Sequence, residues 1–248
     1  MNIYIYDGTL NGFFTVCRRL TGGETDFDIQ ASGREDPQEG LFDRRLDVAT
    51  DPAESATMRK LIRERASRSG LETVIRAFLS EIKGIEKDIL IYINLVMKEG
   101  AGVNSNLADE RVMRVFRAAE KTGGEAHRLK GFLRFAEVGT GKFYAKVEPV
   151  HNVLSSLALH FSIRMSSQDW IIHDARRGIS AFYSGGRIFY KNTGVFEFSG
   201  KEGKGCDFES MWRSYFNTMA IRERINPRLQ ARLVPKKYRK NMAEFSSY

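Results

Sequence analysis

The sequence predicts an α+β protein: an antiparallel sheet built from hairpins and packed with helices, plus a helical block. Three observations carry that reading. From Pro52 to about Arg128 apolar residues recur at helical spacing, and Gly70, Gly84 and Gly100–Gly102 divide the stretch into segments. Beyond residue 129, short alternating runs come in two pairs, each joined by a glycine-bearing turn. One helix separates the pairs, which is not the regular strand–helix alternation of a doubly wound sheet. The 248 residues are read as one domain, with the helical block at about 52–128 and a hairpin–helix–hairpin–helix portion at about 129–248.

Taken in order, Asn2–Tyr6 alternates and runs into Asp7-Gly8, a strand entering a turn. Gly12–Leu20 is a short helix with Phe13, Phe14 and Val16 to bury. Residues 22–40 are polar and read as a loop, and Leu41–Val48 as a second short strand. Thr50-Asp51 before Pro52 starts the helical block, because proline is tolerated in a first helical turn. Within the block, Val112, Val115, Phe116 and Ala119 share one face of a helix, and Arg111, Arg114, Arg117 and Lys121 the other. Gly131–Val138 and Lys142–Glu148 form the first hairpin around Gly139-Thr140-Gly141. Val153–Met165 is a helix apolar on most of its circumference and expected to be buried. Trp170–His173 is a strand, and Ile179–Tyr183 with Arg187–Tyr190 makes the second hairpin around Ser184-Gly185-Gly186. Asp207–Arg224 is the last helix. Its Phe208, Met211, Trp212, Tyr215 and Met219 form one core stripe, with Arg213 and Arg224 opposite.

Charge points to a polyanion. There are 39 Lys and Arg, 25 of them Arg, against 31 Asp and Glu, a net charge of +8. Guanidinium suits bidentate phosphate contacts. Residues 201–248 carry 11 basic and 5 acidic side chains, and Lys236, Lys237, Arg239 and Lys240 form the densest patch. Apolar runs such as Ile89–Val96 are far too short to span a bilayer, so no membrane partner is expected. The start has no secretory pattern, and a cytoplasmic location is expected. With only Cys17 and Cys206, neither a disulfide framework nor a four-cysteine metal site can form. Phosphate-binding loops, dinucleotide fingerprints, His-Glu-x-x-His and serine-elbow patterns are absent, and no metal or cofactor is expected.

All four histidines, 127, 151, 160 and 173, fall within 47 residues, the best place to look for chemistry near neutral pH. Glu125, His127, Arg128, Lys130 and Arg134 crowd the junction of a helix and a strand. Read as strand, Lys130, Phe132 and Arg134 share a face able to hold a phosphate and stack a base, or to ring the edge of a core. His160 and Arg164, four apart on the buried helix, share a face. A buried Arg164 requires an anion, either a carboxylate of this chain or a ligand phosphate. His173 and Asp174 end a strand. Glu125, His127, His160 and His173 are thus the catalytic candidates. Arg128, Lys130, Arg134, Arg164, Arg213, Arg224, Lys236, Lys237, Arg239 and Lys240 are the nucleic-acid contacts.

Several blocks are familiar together: Tyr4-Ile5-Tyr6-Asp7-Gly8-Thr9, His127-Arg128-Leu129-Lys130-Gly131-Phe132, His151-Asn152-Val153-Leu154, Gln168-Asp169-Trp170, Trp212-Arg213-Ser214-Tyr215-Phe216 and Pro235-Lys236-Lys237-Tyr238. They resemble a bacterial family assigned to DNA metabolism or repair, whose biochemical activity is unknown. Arg239 stands where that family has a tryptophan. The resemblance implies a radical S-adenosylmethionine (radical SAM) protein as gene neighbour and partner. It also implies longer relatives fused to a uracil-DNA-glycosylase-like domain. This chain, ending at Tyr248, is expected to lack that domain and its activity. The leading expectation is a DNA-binding accessory of a repair system. The alternatives are an enzyme acting on a nucleotide or DNA end through Glu125, His127, His160 and His173, and a protein scaffold without nucleic-acid affinity.

Overall fold

β1 (Asn2–Tyr6) forms where the alternation places it, and Thr9 starts α1 (Leu10–Leu20) by accepting the Gly12 N–H at 3.0 Å. Phe13, Phe14, Val16 and Cys17 on α1 are fully buried. The structure, a computed structural model, describes residues 1–23, 26–33, 43–105, 109–139, 141–194, 234–239 and 241–242. The expected helix Asp207–Arg224, with Arg213 and Arg224, lies outside them, as does Lys240.

The chain divides into two units, Met1–Gly123 and Gly124–Tyr248. In the first, β1 is the middle strand of a three-stranded sheet, between β2 (Phe27–Ala31) and β3 (Arg44–Asp47). Both neighbours run parallel to it. Two expectations are corrected here. Residues 22–40 are not wholly loop, because Phe27, Ile29 and Ala31 alternate inward between Asp28 and Gln30. The sheet is parallel because α1 carries the chain back between β1 and β2.

The helical block has capped ends. Asp51 accepts the N–H groups of Ala53 (2.7 Å) and Glu54 (3.1 Å) ahead of α2 (Pro52–Ala66). Ser67 caps α3 (Arg68–Phe78). Gly84 and Gly100, both at positive φ, bracket α4 (Ile85–Glu99). A 3-10 segment, Gly100–Ser105, precedes α5 (Glu110–Phe132). On α5, Val112, Val115 and Ala119 are buried and Arg111, Arg114, Arg117 and Lys121 exposed, the division the periodicity predicts. Arg111 pairs with Asp109 at 2.8 Å and Arg114 with Asp88 at 3.1 Å, so half of that basic stripe is neutralised.

The boundary between the units falls within α5, and the helix continues to Phe132. The strand expected from Gly131 therefore begins only at Ala136, as β4 (Ala136–Gly139). Helical spacing wins locally: Ala126, Leu129 and Leu133 are buried on one side, and the Leu133 N–H donates to the Leu129 carbonyl at 2.9 Å. Lys130, Phe132 and Arg134 consequently do not share a strand face.

The second unit is a five-stranded mixed sheet in the order β4, β5 (Lys142–Val147), β6 (Asp169–Asp174), β7 (Ile179–Ser184), β8 (Arg187–Asn192). Both hairpins form, and Gly185 and Gly186 turn the second at φ +56° and +78°. The central β5–β6 pair is parallel, because α6 (Leu154–Arg164) carries the chain back across the sheet between them. Tyr238, on the short α7 (Lys236–Arg239), joins the same core. α6 lays Leu154, Leu157, Ala158 and Phe161 on a sheet face made of Ala145, Val147, Trp170, Ile172, Ala181 and Tyr183. Its other side is not buried as expected: Leu159 is 62% and Ile163 76% exposed. One layer of contact satisfies a helix that the sequence presents as apolar nearly all round.

Candidate nucleic-acid interface

Glu125 is 1% exposed and yet fully partnered. Its carboxylate accepts the backbone N–H groups of Val150 (3.1 Å) and His151 (2.7 Å), the Lys237 ammonium (3.1 Å) and the Tyr238 hydroxyl (2.5 Å). Burial alone would raise its pKa, but the Tyr238, His151, Val150 and Lys237 donors outweigh that and hold it at about 2. A carboxylate so satisfied anchors structure rather than shuttling protons. Arg177 holds the same loop by its carbonyls, donating to Pro149 and Val150 while paired with the buried Asp174.

The other catalytic candidates lie apart in their contacts. His127 is exposed on α5. His160 is half-buried, edge-on to Phe161, and its pKa is lowered first by burial and then by the nearby Lys130 and Arg164 cations. His173 is 1% exposed on β6, bonded to Ser180 and ring to ring with Tyr144. Among the described residues, no hydrogen bond, ion pair or ring contact joins any two of Glu125, His127, His160 and His173.

The expected cationic contacts divide. Arg128 and Lys236 are exposed and Lys130 half-buried. Arg164 is exposed, so the buried arginine in need of an anion does not exist. Arg134 donates to the Gly131 (2.8 Å) and Leu133 (3.2 Å) carbonyls at the end of α5. In the tail, Lys237 is tied to Glu125 and lies 4.5 Å from the Tyr238 ring centre, and Arg239 donates to the Val234 carbonyl at 3.0 Å. Much of the tail patch is thus engaged in packing.

The sheet supplies what the sequence reading missed. Its core-facing side is covered by α6, and none of the apolar residues on the other side belongs to that core. On this outer face the register aligns Tyr144, Ile171, Phe182 and Phe189 in one row across β5, β6, β7 and β8. The next row is Lys146, His173, Ser180 and Lys191. Lys142 and Arg187 flank them, with Asp169 the acidic residue of the face. Neither Lys142, Lys146, Arg187 nor Lys191 makes an ion pair among the described residues. Phe189 is 52% exposed, unusual for a large apolar ring.

Between the two rows lies a cavity of about 510 Å³, lined in part by Tyr144, Ile171, Phe182, His173 and Lys191. The His173 Nδ1 is 2.8 Å from the Ser180 Oγ, which is itself 2.8 Å from the Thr193 Oγ1. Its Nε2 is buried and has no hydrogen-bond partner among the described residues. Burial lowers the His173 pKa and outweighs Asp174, which pulls it up, with Lys146 lowering it slightly further, so the net effect favours the neutral ring. The signal for this face was present in Lys142-Phe143-Tyr144-Ala145-Lys146, where basic and aromatic residues alternate with small and apolar ones at period two. Both hairpins are legible in the sequence, but the parallel β5–β6 pairing that joins them into one sheet is not, so rows across four strands are invisible there.

Among the described residues, no helix is long and apolar enough to cross a membrane. No group of three or more His, Cys, Asp or Glu side chains among them could hold a metal ion. Neither a curated protein nor a solved structure matches the chain significantly. A family model, DUF4130, a domain of unknown function, matches residues 83–244. That span contains every strand of the five-stranded sheet and both of its rows. The chain belongs to the DUF4130 family.

Proposed function

We propose that this protein is a DNA-binding accessory of a repair or modification system, acting in the cytoplasm beside the radical SAM protein that its resemblance implies. The uracil-DNA-glycosylase-like domain fused to longer relatives would be a second partner in the same system. The observation that carries the proposal is the outer face of the five-stranded sheet. Aromatic rings on β5, β7 and β8 lie in one row, beside cations that make no ion pair among the described residues. A π-face accepts any base and an ammonium or guanidinium any phosphate, so the pattern suits a strand held without regard to sequence. Charge supports the same unit: residues 124–248 carry 21 basic and 11 acidic side chains, and residues 1–123 carry 18 and 20.

The test is binding of labelled single-stranded and duplex DNA across a salt series, with Lys142, Lys146, Arg187 and Lys191 replaced by Ala together. The native protein is expected to lose affinity steeply with salt. The variant's slope is expected to flatten by about 0.7 for each single-strand phosphate contact removed. No binding at low salt, or an unchanged slope in the variant, rejects the proposal.

A further inference from the structure

We infer that the cavity on the outer sheet face receives one unstacked nucleobase of a single strand. This rests on the nucleic-acid reading above and names the part of the ligand that the cavity takes. Its volume, about 510 Å³, lies within the range of about 300–1,000 Å³ typical of small-molecule sites. Tyr144, Ile171 and Phe182 stand side by side in register and give it an apolar wall with two rings. His173 supplies a polar point in that wall, with its Nε2 buried and without a partner among the described residues.

That combination selects among ligand chemistries. A hydrocarbon chain would leave the already buried His173 Nε2 still unbonded and gain nothing from it, whereas a ligand with a polar edge can supply the missing bond. An isolated phosphate would meet a mostly apolar wall with one lysine of the lining, Lys191, to compensate its charge. A planar, neutral heteroaromatic ring with hydrogen-bonding atoms on its edge satisfies both halves: a face for the rings and an edge for the imidazole. The cations Lys142, Lys146 and Arg187 on the surrounding face then lie where the attached backbone would run.

The His173 contacts also bear on selectivity. Ser180 and Thr193 are hydroxyls that can donate to Nδ1 or accept from it, and they bond to each other. When Nδ1 accepts, Nε2 carries the proton and donates. When Nδ1 donates, Nε2 accepts. The relay therefore lets one imidazole nitrogen meet either a donor or an acceptor on a base edge, so the cavity reads the presence of a base more than its identity. A base stacked and paired in a duplex cannot enter, so the ligand is single-stranded or carries an extruded nucleotide.

The experiment compares three probes on the full chain: an oligothymidylate of about twelve nucleotides, the same strand with abasic residues throughout, and free thymidine monophosphate. The base-bearing strand is expected to bind about 5- to 150-fold tighter than the abasic one, the range for one stacked base. Phe182→Leu keeps apolar bulk and removes the ring. It is expected to lower that preference several-fold while leaving the salt slope unchanged. The native-protein comparison stands even if the variant misfolds. Equal binding of both strands with a normal salt slope overturns the base cavity and leaves the phosphate contacts of the nucleic-acid reading intact. Failure to bind either strand overturns both. Micromolar binding of the monophosphate without preference for the base-bearing strand overturns it in favour of a free nucleotide.

Discussion

Glu125 shows how a residue that looks catalytic in sequence becomes structural in space. A carboxylate next to His127, Arg128 and Lys130 suggests acid–base work, yet its oxygens are occupied by two backbone N–H groups, an ammonium and a phenol. Removing the charge leaves those four donors facing a neutral group. Glu125→Gln is expected to destabilise the protein by about 3 kcal/mol at pH 7, in the range for breaking a buried pair, measured by urea unfolding. Tyr238→Phe removes one donor and is expected to cost about 1–2 kcal/mol. The pH dependence has a definite sign. The folded-state pKa of about 2 lies below the ordinary value of 4.5. The stabilisation is therefore complete above about pH 4.5 and lost as pH falls toward 2, so the gap between Glu125→Gln and native protein narrows over that window. A gap that is constant from pH 7 to pH 3 would contradict this account.

At the scale of elements, α6 separates what its sequence says from what its packing does. Leu157 and Ala158 face the sheet at 0% exposure, whereas Leu159 and Ile163 face away. Leu157→Ala is expected to cost about 2–5 kcal/mol, and Ile163→Ala less than about 0.5 kcal/mol, both read from denaturation midpoints. Comparable losses from the two would mean that the exposed side is covered in solution. Much of the element plan was legible from residues alone. The hairpins around 139–141 and 184–186, the caps at Asp51 and Gly84, and the apolar stripe of α5 all follow from local chemistry. Strand direction did not follow, because the parallel β5–β6 pair depends on α6 crossing the sheet rather than on any residue in either strand. The junction at Gly131 was misplaced for a related reason. Lys130, Phe132 and Arg134 alternate as a strand would, but Ala126, Leu129 and Leu133 bury at helical spacing, and core packing decides. The outer-face rows were the least legible feature, since a row across four strands exists only once the register is known.

Over the whole molecule, charge is divided rather than spread. Residues 1–123 carry a net −2 and residues 124–248 a net +10, so the +8 of the chain belongs entirely to the second unit. Counterion release follows the surface that meets phosphate, not the total charge. Lys60→Ala and Arg68→Ala, on exposed positions of the first unit, are therefore expected to leave both DNA affinity and its salt slope unchanged. A slope that falls as much with these two as with Lys142→Ala and Arg187→Ala would mean that binding is a diffuse property of a basic protein.

The closure of the tail on Glu125 also sets a schedule. The Tyr238 hydroxyl that completes its shell lies 113 residues further along the chain. At synthesis rates of about 5–20 residues per second, the carboxylate is added to the chain roughly 6–23 s before its last donors. Its α5 segment and the β5–α6 loop can meet in that interval, because Val150 and His151 follow only 25 and 26 residues behind. The second unit is thus born with an unfinished ion pair at its centre. The buried carboxylate gains its full set of donors only once Lys237 and Tyr238 have been added to the chain.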